Sequence, residues 1–170
     1  PGRRRRDDAP VSIEGTAAGH RRIGVGFVAA QFALLALVVL LPGGQAWVLA
    51  PWAATAALAV MALGLVLMLV AALGLGRGLT ALPLPNEHAA LRTGGLYRWA
   101  RHPIYSGLLL FAVADTARSG SWLTVGACLG LVVLMTAKAR WEEARLAERF
   151  PDYPAYAART GRFLPRLRSR

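Results

Sequence analysis

The chain is poor in the residues that most enzymatic chemistry draws on. It has one cysteine, Cys128, and three histidines, His20, His88 and His102. A single cysteine excludes an intramolecular disulfide. Cys128 lies inside an apolar run, where a cysteine reads as a small core residue. Three scattered histidines leave no Ser-His-Asp order, and no metal site gathers enough ligands. His88 beside Glu87 is a conceivable metal or base pair, but a loop dipeptide of this kind is ordinarily solvated. Acidic residues are also scarce, at 9 against 20 Lys and Arg, for a formal charge of +11. Alternating strand patterns are lacking, so the glycines at Gly74, Gly76 and Gly78 have no strand to make them a phosphate loop and read as a flexible exit from an apolar span.

What is present is hydrophobic and segregated from charge. Hydrophobic residues make up 55% of the 170, in long runs flanked by arginine clusters. That is the pattern of an integral membrane protein, and it points away from nucleic acid as the partner of the basic excess. Residues 1–22, with Arg3 to Arg6, read as a disordered basic tail. Ile23 to Leu41 is an uncharged run of 19 residues, close to the ~20 that span a bilayer. With Arg21-Arg22 before it and Gly44-Gln45-Ala46 after it, the run also has the outline of a signal peptide, although it is long for one. Trp47 to Gly76 is uncharged too, with a span expected over 52–73 and Trp47 and Trp52 as interfacial anchors. Short spans follow over 104–118 and 122–137, turning at Arg118-Ser119-Gly120-Ser121. At ~1.5 Å per residue each is about 22–25 Å long, less than the ~30 Å hydrocarbon core, so the pair predicts a helical hairpin with its tip just below the far surface. Asp115 and Arg118 can pair there. KARWEEARLAERF, from Lys138, continues as an exposed charged helix.

The expected fold is therefore an all-α integral membrane protein. It has about four transmembrane helices, the last two a short hairpin, plus a cytoplasmic C-terminal helix, and residues 23–170 form one domain. Charge supports the topology. Residues 1–22, 77–103 and 138–170 hold 19 of the 20 Lys and Arg residues, which places both termini and the central loop on the cytoplasmic side, most simply of the cell membrane.

Two polar stretches stand out. Arg92 to Gly107 carries Tyr97, Arg98, Arg101, His102 and Tyr105. Pro103 suits the first turn of a helix, which puts His102 at the N-cap, where free amides and the helix dipole favour an anion. Arg101 adds a full charge. His102, Tyr105 and Ser106 share a helix face, and Gly107 lets either a ligand or another helix approach. The same residues would also serve as interfacial anchors. The second stretch holds Glu142-Glu143. These can pair along their own helix, Lys138 with Glu142 and Arg140 with Glu143, or one of them can turn to a ligand, since neighbours point ~100° apart.

The motifs LRTGGLYRWARHPIYSG and WEEARLAERFPDYPAYAARTGRFLP, in this order and at this separation, resemble the C-terminal signature of the isoprenylcysteine carboxyl methyltransferase and phospholipid methyltransferase superfamily of membrane enzymes. The match falls at Gly95, Tyr97, Arg101-His102-Pro103, Tyr105, Gly107, Glu142-Glu143, Phe150, Tyr153 and Tyr156, within residues 83–165. Pro151 stands where the pattern has glycine, and only two spans precede the motif. The resemblance implies an S-adenosylmethionine-dependent methyltransferase acting on a lipophilic acceptor, whether a small molecule or a lipid-modified substrate, amid membrane lipids. Cofactor contacts are expected from Tyr97, Arg101, His102, Pro103, Tyr105, Gly107, Glu142, Glu143 and Tyr153, with His102 and Arg101 the catalytic candidates. A carboxylate acceptor needs no base; for a thiol, hydroxyl or amine, His102 is the nearest one. Sterol-reductase-like enzymes share a similar Arg-His-Pro-x-Tyr motif and bind NADPH, but its 2′-phosphate would want cations where this chain has Glu142-Glu143. A non-catalytic membrane scaffold of the same fold is the remaining alternative.

Overall fold

The computed structural model describes residues 13–78 and 91–166. The Arg3–Arg6 cluster, Glu87 and His88 lie outside these residues. Five α-helices are present: α1 (Ile13–Leu40), α2 (Pro51–Leu75), α3 (Pro103–Ser119), α4 (Trp122–Arg149) and α5 (Tyr153–Arg159). Among the described residues the one β-type contact is an isolated bridge.

Three segments are long and apolar enough to cross a membrane, Ala18–Leu40, Pro51–Leu75 and Trp122–Arg149. With 17 residues, α3 reaches only about 25 Å, as expected of the short limb of a hairpin. Helix α1 starts at Ile13 and so takes in the last part of the expected basic tail. Helix α4 differs more: the expected span and the expected cytoplasmic helix are one unbroken rod of 28 residues. No glycine or proline interrupts the sequence between Val132 and Phe150, so nothing breaks the ladder of hydrogen bonds.

Helix α2 is uncharged all round and buries only Gly64 and Ala71. Its large side chains, such as Leu63 at 58% and Leu73 at 71% exposure, point outward, as suits a lipid-facing surface. Its small residues face α3, the usual way membrane helices approach closely. A Cβ on Gly107 would lie 2.5 Å from the Gly64 carbonyl oxygen, and one on Gly64 would lie 2.7 Å from the Gly107 carbonyl oxygen. Gly107 therefore serves helix packing, the second of the two uses its sequence position allows. Behind this seam, Val38, Leu108, Ala112, Leu131 and Met135 form the core together with Cys128.

The α1–α2 and α3–α4 turns meet at one end of the bundle. The Gly44 amide donates to the Ser119 carbonyl (2.8 Å), that of Ala46 to Gly120 (3.0 Å), and the Trp47 indole to Ala117 (2.7 Å). Trp47 and Trp122 stack edge to face there. Gly120 takes the left-handed conformation (φ 60°) that closes α3, a backbone shape glycine adopts without steric cost. Asp115 and Arg118 pair near this end at 3.6 Å. The polar stretches gather at the other end.

Candidate functional site

Pro103 does occupy the first turn of α3, with His102 as N-cap, and the His102 side chain makes no capping bond. Its ring turns instead toward α4. Nδ1 lies 3.4 Å from Glu142 Oε2, and Nε2 lies 3.2 Å from Glu143 Oε1. A neutral imidazole can donate from only one nitrogen, so facing carboxylates on both sides favours the imidazolium. Burial opposes that charge, but the bonds to Glu142 and Glu143 outweigh it and hold the ring above its ordinary value. Both ring nitrogens of His102 are thus engaged by carboxylates.

A pH dependence follows. A group whose folded-state pKa is raised stabilises fully below its unfolded value and loses that contribution as pH rises through the folded value. The unfolded value is near 6.5. Thermal unfolding in detergent should therefore give a Tm that falls as pH climbs above about 6.5, and His102→Asn should flatten that slope. A wild-type Tm that rises across this window would contradict the assignment.

Glu143 is the hub. Its Oε1 accepts from Arg101 Nε (3.0 Å) and Arg162 Nε (2.9 Å), and its Oε2 from Arg162 at 2.7 Å. The Arg101 guanidinium also reaches the carbonyls of Ala157 (2.8 Å) and Thr160. Glu142 accepts from the Tyr105 hydroxyl. The Tyr105 ring stacks on His102, with centroids 5.3 Å apart and planes 4° from parallel. The expected pairs along α4, Lys138 with Glu142 and Arg140 with Glu143, are not among the ion pairs of the described residues; both carboxylates turn inward to α3 and the chain beyond α5.

That last segment straps the site. The amides of Arg101 and His102 donate to the carbonyls of Gly161 (2.9 Å) and Arg162 (3.0 Å), and the Ser106 hydroxyl to Phe163 (2.6 Å). Phe163 packs edge to face on His102. One step back, the Tyr156 hydroxyl donates to the Tyr97 carbonyl (2.6 Å), and that of Tyr97 to the Ala71 carbonyl on α2 (3.2 Å). Burial, then Tyr156 and Glu142, push the Tyr97 phenol up to about 12, so it stays a donor.

Arg101, His102, Tyr105, Glu142 and Glu143 thus converge in one cluster. Tyr153 is buried nearby, and its hydroxyl lacks a partner among the described residues. Pro103 is buried as the start of α3. Tyr97 spends its hydroxyl on α2, and Gly107 spends its bare face there too. Absent from the sequence-based site set were Arg162, Phe163 and Tyr156. Arg162 carried a weak signal, as one more arginine in an arginine-rich tail; its bidentate grip on Glu143 depends on the chain doubling back. A cleft of about 290 Å³ opens beside Tyr97, lined by Val70, Ala71, Gly74, Arg92 and Gly94 among others. Neither glutamate lines it, so the chemistry is assigned to the charged cluster and not to this cleft.

A helix N-terminus, a carboxylate pair and a returning strap thus meet at one end of an all-helical bundle with three helices apolar enough to cross a membrane. The chain belongs to the phospholipid methyltransferase family, whose model matches residues 52–153. It is 32% identical over 162 residues to the nickel-cobalt-cadmium resistance protein NccN of Alcaligenes xylosoxydans xylosoxydans, covering 94% of this chain and 71% of that one. It is 34% identical over 151 residues to the cobalt-zinc-cadmium resistance protein CzcN of Cupriavidus metallidurans, covering 87% and 65%. An uncharacterized protein of Schizosaccharomyces pombe is 34% identical over 102 residues, 56% of this chain but only 26% of its own length. The chain thus spans about a quarter of the yeast relative and about two thirds of the bacterial ones.

Proposed function

We propose that this chain is an S-adenosylmethionine-dependent methyltransferase that modifies a lipophilic acceptor at the cytoplasmic face of the membrane. The observation that carries the reading is the meeting of Arg101-His102-Tyr105 with Glu142-Glu143, motifs some forty residues apart in sequence. The donor set fits the cofactor. It offers cations for a carboxylate, carboxylates for an ammonium, and aromatic faces for an adenine or a sulfonium. Tyr153 adds a buried hydroxyl with no partner among the described residues. NADPH suits the cluster less, because its extra phosphate would meet two glutamates.

When bound, S-adenosylmethionine supplies an activated methyl group on sulfur. This chain's residues then align the reactants and exclude water, which is what in-line displacement needs most. Glu142 and Tyr105, joined by the phenol's hydrogen bond, form one wall. Arg101, Glu143 and Arg162 pin the strap that closes the opposite side. The grouping of most arginines at one end of the bundle, with only Arg118 near the turns at the other, supports an orientation with both termini cytoplasmic. Metal resistance in the names of the two bacterial relatives fits a membrane modification as its setting. Among the described residues, no group of three His, Cys, Asp or Glu could hold a metal ion.

The test is calorimetric titration of the detergent-purified chain with S-adenosylmethionine and, separately, NADPH. We expect saturable binding of the first, weakened about tenfold by Glu142→Gln, the loss of roughly one charge-assisted hydrogen bond. Binding of NADPH alone would replace this reading with a reductase. Binding of neither would leave a scaffold.

A further inference from the structure

Lys138 is the chain's one lysine, and the proposed chemistry does not use it. It is 3% exposed. Its ammonium donates to Gln31 Oε1 of α1 at 2.7 Å and sits 5.0 Å from the Tyr105 ring centroid. An ammonium has three donors; among the described residues one is used in a hydrogen bond, and no ion pair is made. The two nearby carboxylates are committed elsewhere. Glu143 binds Arg101, Arg162 and His102, and Glu142 takes the Tyr105 hydroxyl and faces His102. Glu142, four residues on in α4, acts on the ammonium through space, but no carboxylate pairs with it directly, and a buried charge lacking a direct ionic partner is costly. Gln31 lies within the uncharged run of α1, in a segment long and apolar enough to cross a membrane, where water is scarce. The glutamine oxygen therefore stands where an anion would do more.

The site is also placed for access from lipid. The seam between α1 and α4 is built from side chains that leave it only partly covered: Phe27 against Trp141, Leu34 against Gly130, and Gln31 against Lys138. Partial exposure of Phe27, Gln31 and Leu34 puts the lysine one side chain away from the bilayer. On its inner side, the same ammonium touches Tyr105, which borders the cluster assigned to the cofactor.

We propose that Lys138, released from Gln31, binds an anionic oxygen group, carboxylate or phosphate, on an amphiphile entering from the bilayer between α1 and α4, and so selects anionic acceptors and places them beside Tyr105. The proposal rests on the methyltransferase reading for its role, but not for the binding itself. With two N–H donors unspent, Lys138 can bind the oxygen while its stem remains packed. Gln31 then acts as the placeholder that keeps the cation hydrogen-bonded between ligands.

Because the chain has one lysine, 13C-lysine labelling gives a single side-chain signal that reports on this site in the folded protein. Dodecylmaltoside micelles of the labelled chain would be titrated with oleate, dioleoylphosphatidate, oleyl alcohol and acetate. We expect a saturable shift of the Lys138 Cε resonance with oleate or phosphatidate, and none with oleyl alcohol or acetate. Which of the two amphiphiles shifts it distinguishes a carboxylate from a phosphate head. Lys138→Arg should bind oleate within about threefold of the wild type, measured by calorimetry, and Lys138→Met should lose it by tenfold or more. Gln31→Leu should tighten it, since the competing acceptor is gone. An equal shift with oleyl alcohol, a shift with acetate, or no shift with either anionic amphiphile overturns the proposal. S-adenosylmethionine titrated into the same sample separates the two readings. If it binds while the anions do not, only the acceptor site falls; if the anions bind and it does not, the site stands and the methyltransferase reading falls.

Discussion

Glu143→Gln is expected to release the C-terminal strap and, on the proposed reading, to weaken S-adenosylmethionine binding about a hundredfold. Glu143 receives Arg101, His102 and Arg162 at 2.7 to 3.2 Å. Its side chain is 13% exposed, so solvent offers little replacement. Glutamine keeps one oxygen but removes the charge that balances three cations. Breaking a buried ion pair from one side costs about 3–5 kcal/mol; for this partly buried cluster the low end, ~3 kcal/mol, is the appropriate figure, about a hundredfold in an equilibrium constant. The strap offers a direct assay. Arg159, Arg162 and Arg166 are tryptic sites in or beside the segment that pairs with Arg101 and His102. Trypsin should clip them far faster in Glu143→Gln than in the wild type, while Glu142→Gln, which leaves the Arg162 contact intact, should cleave near the wild-type rate. Equal cleavage of Glu143→Gln and wild type would show that the strap is held by its backbone bonds alone.

The second large effect is expected at the α2–α3 seam. In Gly107→Ala the new methyl group would sit 2.5 Å from the Gly64 carbonyl oxygen, 2.8 Å from Met68 Cγ and 2.9 Å from the Met68 backbone nitrogen. Met68 can turn its side chain away, but the backbone atoms cannot yield without moving α2. Overpacking of this kind costs about 1–3 kcal/mol, and backbone obstruction puts the substitution at the upper end. At roughly 2–4 °C per kcal/mol for a chain of this size, Tm should fall by about 10 °C. Gly126→Ala is the control. A Cβ there meets nothing within 4 Å, and alanine favours a helix over glycine by about 1 kcal/mol, so Tm should hold or rise. Gly64→Ala should resemble Gly107→Ala, with the double variant losing less than the sum, because α2 needs to move away only once. A Gly107→Ala protein as stable as the wild type would mean that the two helices are not in van der Waals contact at this crossing.

Much of the frame was legible in the sequence. Uncharged runs mark α1, α2 and the apolar part of α4 because a bilayer penalises charge within a helix and requires its backbone to be paired internally. Pro103 marks the start of α3 because proline lacks the amide that an N-terminus leaves unpaired anyway. Asp115 and Arg118 could be paired by helical spacing alone. The boundary between span and cytoplasmic helix in α4 was not legible. Composition changes at Lys138, yet hydrogen bonding continues through it.

The candidate site divides in the same way. Sequence alone singled out Arg101, His102, Tyr105, Glu142 and Glu143 by residue type, helical spacing and motif, and it left open whether the glutamates face solvent or the interior. Only the tertiary structure decided that both turn inward, since this depends on how α4 is rotated against α3. It also reassigned Gly107 to helix packing and brought in Arg162, Phe163 and Gln31. The reason is common to all of these: local pattern records what a residue can offer its own helix, whereas its partner from a distant segment is fixed by how the helices pack and where the chain returns.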